Sequence, residues 1–240
     1  MNPGEEGRHF IENDPTNVNT GDPAKTLMVM GSVGEGKSSL CNLLANSSEF
    51  LFPIKKLDKI HIENLTWRGS EEPLCLIDTP GLFADERNRE NEVINEMIKE
   101  LKTKVKYVNV FAIVLNGTNP RFDQSRKQMI RLFMKIFGSQ MFETNTVFII
   151  SHWHYNKSSI EKRKRTHQDE VSKINGINET LKEFGVKNSS VPVIFIDSKY
   201  GKVDSVEEEK LNFNLDKLNH YLISFSPYLS KHFKFLTSKD

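Results

Sequence analysis

The sequence predicts an α/β fold: a mostly parallel sheet covered by helices on both faces. Three observations predict it. From Lys25 onward, short and nearly continuous apolar segments alternate with amphipathic helical patterns, and strands apolar on both sides belong in a sheet buried on both faces. The run Gly31-Ser32-Val33-Gly34-Glu35-Gly36-Lys37-Ser38 fits G-x-x-x-x-G-K-[ST], a loop that cradles nucleotide phosphates between a strand and a helix. Asp78-Thr79-Pro80-Gly81, a D-x-x-G pattern, begins 40 residues after Ser38 and follows another apolar segment.

The elements follow in order. Thr26 to Met30 is a short apolar run and reads as a buried strand. Beyond the glycine-rich loop, Leu40, Leu43 and Leu44 fall at i, i+3 and i+4, one face of a helix. Ile60 to Trp67 alternates loosely and ends at Arg68-Gly69-Ser70, the pattern of an edge strand. Pro73 to Ile77 is a buried strand leading into Asp78. Val93, Ile94, Met97, Ile98 and Leu101 mark an amphipathic helix from about Glu90 to Lys102. Val108 to Leu115 is almost wholly apolar, a further strand. Met129, Ile130, Leu132, Phe133, Ile136 and Phe137 form a helix face that stops at Gly138. Val147 to Ile150 and Val191 to Ile196 are two more buried strands.

Residues 1–24 are rich in Asn, Glu, Asp, Gly and Pro and read as a polar arm. The folded domain is expected over 25–226, with 227–240 as a C-terminal tail. The tail carries aromatics with Lys231, Lys234 and Lys239; packing on the core is favoured over contact with a membrane surface or a partner.

With 240 residues the chain is long enough for one well-buried α/β core. Its net charge of +1 supplies no field for nucleic acid, and none is expected as a partner. Lys162-Arg163-Lys164-Arg165 lies among acidic residues and reads as a solvated helix face. No apolar stretch reaches membrane-spanning length, and the first residues lack an apolar signal core. Two cysteines, Cys41 and Cys75, are expected as buried, reduced thiols. A cytoplasmic protein is expected.

Ligands of parallel sheets bind at the carboxyl ends of the strands, where both motifs lie. Gly34, Glu35, Gly36 and Ser39 are candidates to offer backbone N–H groups to phosphate, helped by the positive end of the following helix. Lys37 is expected to neutralise the β- and γ-phosphates, and Ser38 to bind Mg²⁺ through its hydroxyl. Asp78 would hold the same Mg²⁺ shell. Gly81 would meet a γ-phosphate, so that Asp78, Thr79, Pro80 and Gly81 move when it leaves.

The pair of motifs resembles a G domain. Asp78-Thr79-Pro80-Gly81-Leu82-Phe83 and the block from Asn119-Pro120-Arg121-Phe122-Asp123 to Phe137-Gly138 resemble the avirulence-induced-gene (AIG) GTPases. These are also called immunity-associated GTPases (GIMAP) and are similar to the plastid-import Toc GTPases. The resemblance covers about residues 25–200. It implies a three-layer G domain with one antiparallel strand, GTP/GDP as ligand, Mg²⁺ as cofactor and nucleotide-dependent self-association, often at or near a membrane.

Several positions depart from that pattern. Where G domains carry [NT]-K-x-D, with the Asp accepting two bonds from guanine, this chain has Ser151-His152-Trp153-His154. His152 or Trp153 is a candidate to pack on the purine face, and His154 to donate to O6. The next strand ends in Asp197-Ser198-Lys199; Asp197 is a candidate replacement acceptor for guanine, with Ser198 beside it. GTP over ATP therefore stays open. No Thr lies between Ser48 and Ile60 to serve as the first-switch metal ligand; Ser47 and Ser48 are the stand-ins, and Thr66 falls in a strand. Leu82 occupies the place of the water-orienting Gln after the D-x-x-G glycine, so intrinsic hydrolysis is expected to be slow. A partner arginine can restore rate, and of Arg68, Arg87, Arg89 and Arg121 the last has the best claim as an arginine finger.

The sequence thus reads as a guanine-nucleotide switch with slow Mg²⁺-dependent GTP hydrolysis, coupled to or accelerated by dimerisation. The alternative is a nucleotide-binding assembly scaffold with little or no hydrolysis. A phosphoryl-transfer kinase on the same loop would need an arginine-rich lid and an acceptor pocket.

Overall fold

The computed structural model describes residues 24–46, 59–82, 90–119, 122–187, 190–198 and 205–236. In chain order these form β1 (Lys25–Met30), α1 (Lys37–Ala45), β2 (His61–Thr66), β3 (Pro73–Asp78), α2 (Glu90–Lys104), β4 (Tyr107–Val108), β5 (Val110–Asn116), α3 (Gln124–Phe137), α4 (Gln140–Thr144), β6 (Thr146–Ser151), α5 (Lys157–Arg165), α6 (Glu170–Glu183), β7 (Val193–Phe195), α7 (Ser205–Ser224) and β8 (Tyr228–Leu229). The expectations for Ser47, Ser48, Arg87, Arg89, Arg121, Lys199 and the arm over 1–23 lie outside the described residues.

Six strands form one sheet in the order β2-β3-β1-β5-β6-β7. All pair in parallel except β2, which runs antiparallel to β3 at the edge. The mixed burial of β2 agrees with its loose alternation, for an edge strand is shielded on fewer sides.

Alternation along each strand divides the core into two layers. On one face Leu27, Val29, Leu74, Leu76, Ala112 and Val114 pack with Leu40 and Leu44 of α1 and with Leu211, Leu215 and Leu218 of α7. On the other, Met28, Met30, Ile77, Phe111, Ile113 and Phe148 pack with residues of α2, α3 and α6. The result is a three-layer sandwich, as expected. Cys41 and Cys75 are buried free thiols, and burial pushes the Cys75 thiol up to about 12.

One apolar run is divided. The stretch Val108 to Leu115 reads as one strand, but Asn109 interrupts it. Asn109 accepts a bond from the Thr26 N–H through Oδ1 at 2.9 Å and donates its own N–H to the Thr26 carbonyl at 2.9 Å. The two residues before it leave the main sheet as β4 and pair with β8.

That pairing ties the C-terminal segment to the core. Tyr228 Oη donates to the Phe137 carbonyl at 2.6 Å, and the Phe233 ring meets Phe137 edge-on, with centroids 4.8 Å apart. Farther along, the Asn95 side chain bonds both main-chain groups of Leu236, accepting its N–H at 2.8 Å and donating to its carbonyl at 3.1 Å. Phe233 and Leu236 are buried in the α2/α3 layer. Among the described residues no helix is long and apolar enough to cross a membrane.

Candidate functional site

β1 and β3 are neighbours in the sheet, so their carboxyl ends bring the two motifs together. The glycine-rich loop leaves β1 and turns into α1 at Gly36, whose φ of 97° is a left-handed conformation that glycine adopts without strain. Gly36 has no side chain to cap the helix, and no cap bond is made. The N–H groups of the first turn, which includes Lys37, Ser38 and Ser39, have no partner within the helix and remain available to an anion.

The segment Asp78 to Leu82 lies directly on this loop. Thr79 donates to the Val29 carbonyl through both N–H (3.2 Å) and Oγ1 (3.0 Å). A Cβ placed on Gly81 would come within 2.5 Å of Val33 Cγ2 and 2.9 Å of Val33 Cα, so only glycine allows this approach. Leu82 is buried, in the same core cluster as Ile94, Met97 and Ile98 of α2.

Three charged or polar side chains meet below the loop. Ser38 Oγ donates to Asp78 Oδ2 at 2.6 Å. Asp78 is fully buried, and its second oxygen, Oδ1, has no hydrogen-bond partner. Burial raises the Asp78 carboxyl above its ordinary range, opposed by the Ser38 bond and by the nearby charges of Lys37 and His61. Lys37 is also buried and donates to the Ser32 carbonyl at 3.0 Å. Burial lowers its ammonium, opposed chiefly by Asp78. A buried carboxylate with one unsatisfied oxygen beside a hydroxyl is a hard-oxygen donor set, the kind that suits Mg²⁺. Among the described residues no cluster of three or more His, Cys, Asp or Glu stands ready to hold a metal. A cation here would depend on Ser38, Asp78, water and the phosphates of its ligand.

The side chain of Glu35 has a role that the loop motif does not reveal. It is buried, and its Oε2 accepts from the Asn116 N–H at the end of β5 and from Arg126 Nη2 of α3 at 3.3 Å. Arg126 also donates to the Asn116 carbonyl at 2.8 Å. Asp123 caps α3 by accepting from the Arg126 N–H at 3.0 Å. The available signal was an arginine on the apolar stripe of α3, at positions 126, 129, 130 and 133; a charge in that place calls for a buried partner.

The residues expected near the base lie at the ends of β6 and β7. Ser151 Oγ donates to the Glu35 carbonyl at 2.6 Å, tying this segment to the phosphate loop. His152, at a left-handed φ of 54°, lies against the loop: its Cε1 is 3.2 Å from where a Gly36 Cβ would stand. His154 Nδ1 bonds Asp197 Oδ2 across the two strand ends. Ser198 follows, with a buried hydroxyl that makes no hydrogen bond.

Trp153 departs from expectation. It is 2% exposed, its ring packs on Phe195 with centroids 4.7 Å apart, and the Arg163 guanidinium lies 4.1 Å from the ring centroid. So deeply buried, it offers no surface for a purine. Arg163 in turn is not wholly solvated, unlike the reading of its basic run; burial lowers its guanidinium. Arg68 is also displaced. It follows β2 at the end that pairs with the start of β3, opposite the loop, and donates to Asn212 Oδ1 at 3.0 Å.

The AIG1 family profile matches residues 25–185. The chain belongs to the AIG1 family. No curated protein matches it. Among solved structures, this AIG1-family chain is similar to Toc33 from Arabidopsis thaliana in complex with Mg²⁺ and GMPPNP, with a TM-score of 0.60 and 18% identity over 88% of this chain and 86% of that one. It is similar also to a dimerisation-deficient Toc33 mutant, with a TM-score of 0.60 and 18% identity over 87% and 84%. LeoA, a bacterial dynamin GTPase from ETEC, has a TM-score of 0.56 and 14% identity over 88% of this chain and 37% of its own. At these identities the likeness is one of fold.

Proposed function

We propose that this AIG1-family chain is a guanine-nucleotide-binding molecular switch that hydrolyses GTP slowly with Mg²⁺, its turnover coupled to dimerisation. One observation carries the reading: Lys37, Ser38 and the unsatisfied carboxylate of Asp78 meet in a buried corner under the open N–H groups of α1. In this reading the amides of Gly34, Glu35, Gly36, Lys37, Ser38 and Ser39 hold phosphate oxygens. Lys37 neutralises the β/γ-phosphate charge. Ser38 and Asp78 would hold Mg²⁺, which when bound would supply positive charge against the charge that develops on the phosphates. Gly81, pressed on Val33, senses the γ-phosphate and moves the segment Asp78 to Leu82 with it. His152 and the loops at the ends of β6 and β7, which carry Asp197 and Ser198, form the base end of the site. Support for the ligands comes from Toc33, solved with Mg²⁺ and GMPPNP and with GDP and Mg²⁺.

Slow turnover follows from Leu82, which is buried and cannot orient water. For the chloroplast translocon components Toc33 and Toc159, dimerisation is described as important for GTPase activity; here Arg121 is our choice for an arginine supplied across such a dimer. We expect the chain in the cytoplasm, at most in peripheral contact with a membrane, and without a nucleic-acid partner. The same buried leucine favours a second reading, an assembly scaffold with little or no hydrolysis.

The experiment is to identify the nucleotide that co-purifies with the protein, then to measure GTP turnover and particle size over a range of protein concentrations. A guanine nucleotide, with specific turnover rising as dimers form, is the expected result. Size that depends on GTP without turnover establishes the scaffold. Failure of guanine and adenine nucleotides alike to bind in millimolar Mg²⁺ overturns both.

A further inference from the structure

We propose that His154 is the group that reads the purine edge, and that Asp197 is a positioning residue that makes His154 an acceptor. This rests on the nucleotide-binding reading above and names the base chemistry of that site. Asp197 was the natural candidate to accept from guanine directly. The structure gives its Oδ2 to His154 instead.

A carboxylate oxygen only accepts, so His154 Nδ1 carries the proton in this bond. With the ring neutral, Nε2 carries a bare lone pair; a second proton there would make it a donor, so the acceptor role belongs to the neutral ring. The two ring nitrogens flank Cε1 and point in widely divergent directions within the ring plane, so with Nδ1 on Asp197 the Nε2 lone pair is directed away from it. The His154 side chain is 41% exposed while that of Asp197 is 11% exposed. The open group is therefore the imidazole, and the carboxylate stands behind it.

The segment is also tied to the phosphate loop. Ser151 is anchored to the phosphate loop at the Glu35 carbonyl, 2.6 Å away, and His152 rests against Gly36. β6 and β7 pair in parallel, Ile150 opposite Phe195, and the Trp153 N–H donates to the Ile196 carbonyl at 3.3 Å. These contacts set the register that brings residue 154 to residue 197.

The chemistry differs from that of a carboxylate in the fourth place. Aspartate there accepts two guanine donors, N1–H and the N2 amino group. One imidazole lone pair accepts a single N–H. The site should thus take 6-oxopurine nucleotides as a class, guanine and hypoxanthine nearly alike, because both present N1–H. Adenine presents a bare N1 at the same edge, which repels the Nε2 lone pair. Discrimination rests on N1, and the N2 amino group adds little.

The test is equilibrium titration of the full chain with GDP, IDP and ADP in excess Mg²⁺, together with ¹⁵N spectra of the His154 ring. Expected for the wild type are GDP and IDP affinities within about threefold, ADP weaker, and a ring protonated at Nδ1. His154→Asp should then favour GDP over IDP by about tenfold or more, the scale of one added charge-assisted bond. His154→Ala should narrow the gap between GDP and ADP. Asp197→Asn should weaken GDP and IDP equally and alter the tautomer, a change that a merely structural carboxylate would not cause. A wild type that prefers GDP over IDP tenfold, with the preference lost in Asp197→Asn, overturns the proposal, since Asp197 then meets the base itself. A GDP to ADP ratio unchanged in His154→Ala overturns it too. Both results leave nucleotide binding standing. A wild type that binds none of the three overturns the proposed function and this inference with it.

Discussion

Arg126 of α3 closes on Glu35 of the phosphate loop, with Nη2 3.3 Å from the carboxylate and both side chains nearly out of solvent. The pair joins the helix that follows the Arg121 segment to the loop that would hold phosphate. Removing one partner leaves the other, a buried charge, without its counter-charge. Arg126→Met is expected to cost about 3–5 kcal/mol. Adding Glu35→Gln should return part of that loss, a positive coupling in a double-mutant cycle followed by urea unfolding.

Lys37→Ala should remove nucleotide binding, because the other cationic contact with the β/γ-phosphates would be the metal itself. The readout is GDP titration in Mg²⁺. Affinity equal to that of the wild type would refute the assigned role.

Asp78→Asn separates stability from metal use. The folded Asp78 carboxyl is raised, chiefly by burial. A raised carboxyl binds protons more tightly folded than unfolded, so ionising it costs stability as pH rises from its unfolded value through its folded one. Near neutral pH, without nucleotide or Mg²⁺, Asp78→Asn should therefore melt higher than the wild type. The same variant should lose the gain in nucleotide affinity that Mg²⁺ confers.

Lys173 gives a prediction at alkaline pH. It lines a cavity of about 100 Å³ with Arg126, and burial, followed by the Arg126 charge, lowers its ammonium to about 8. The unfolded chain then binds more protons between about 8 and 10.5, the ordinary lysine value, and stability from this group rises with pH across that window. Lys173→Met should be the more stable below pH 8, and its advantage should shrink toward 10.5 in melting curves taken across the range.

The C-terminal segment should be part of the folding unit. Phe233 fills the α2/α3 layer beside Phe111 and Phe137. Phe233→Ala is expected to cost about 3–5 kcal/mol in urea unfolding. A chain ending at residue 226 should lose at least as much, for it would also lack β8.

Much of the architecture was legible in the sequence because it is local. Glycine spacing before Lys37 and the apolar strands before the loop and before Asp78 each report their own backbone. That these strands pair in parallel follows from near-continuous apolar runs, which suit a sheet covered on both sides. Residues whose neighbours lie far along the chain were not legible in the same way. The expected strand from Val108 was divided because Asn109 found Thr26, 83 residues away. Trp153 went to the core because Phe195 and Arg163 covered it, although its place in the chain is that of a base-contact residue. Arg68 went to the far edge of the sheet because β2 runs antiparallel.

The amino-acid sequence by itself determined the α/β layers, the phosphate loop and the D-x-x-G segment, since each is encoded by residues within one or two turns or strands. Only the tertiary structure decided that Glu35 would join Arg126 and that His154 would take Asp197. Those pairings depend on side chains 91 and 43 residues apart, and burial rewards a charge only where the fold has already brought it a partner.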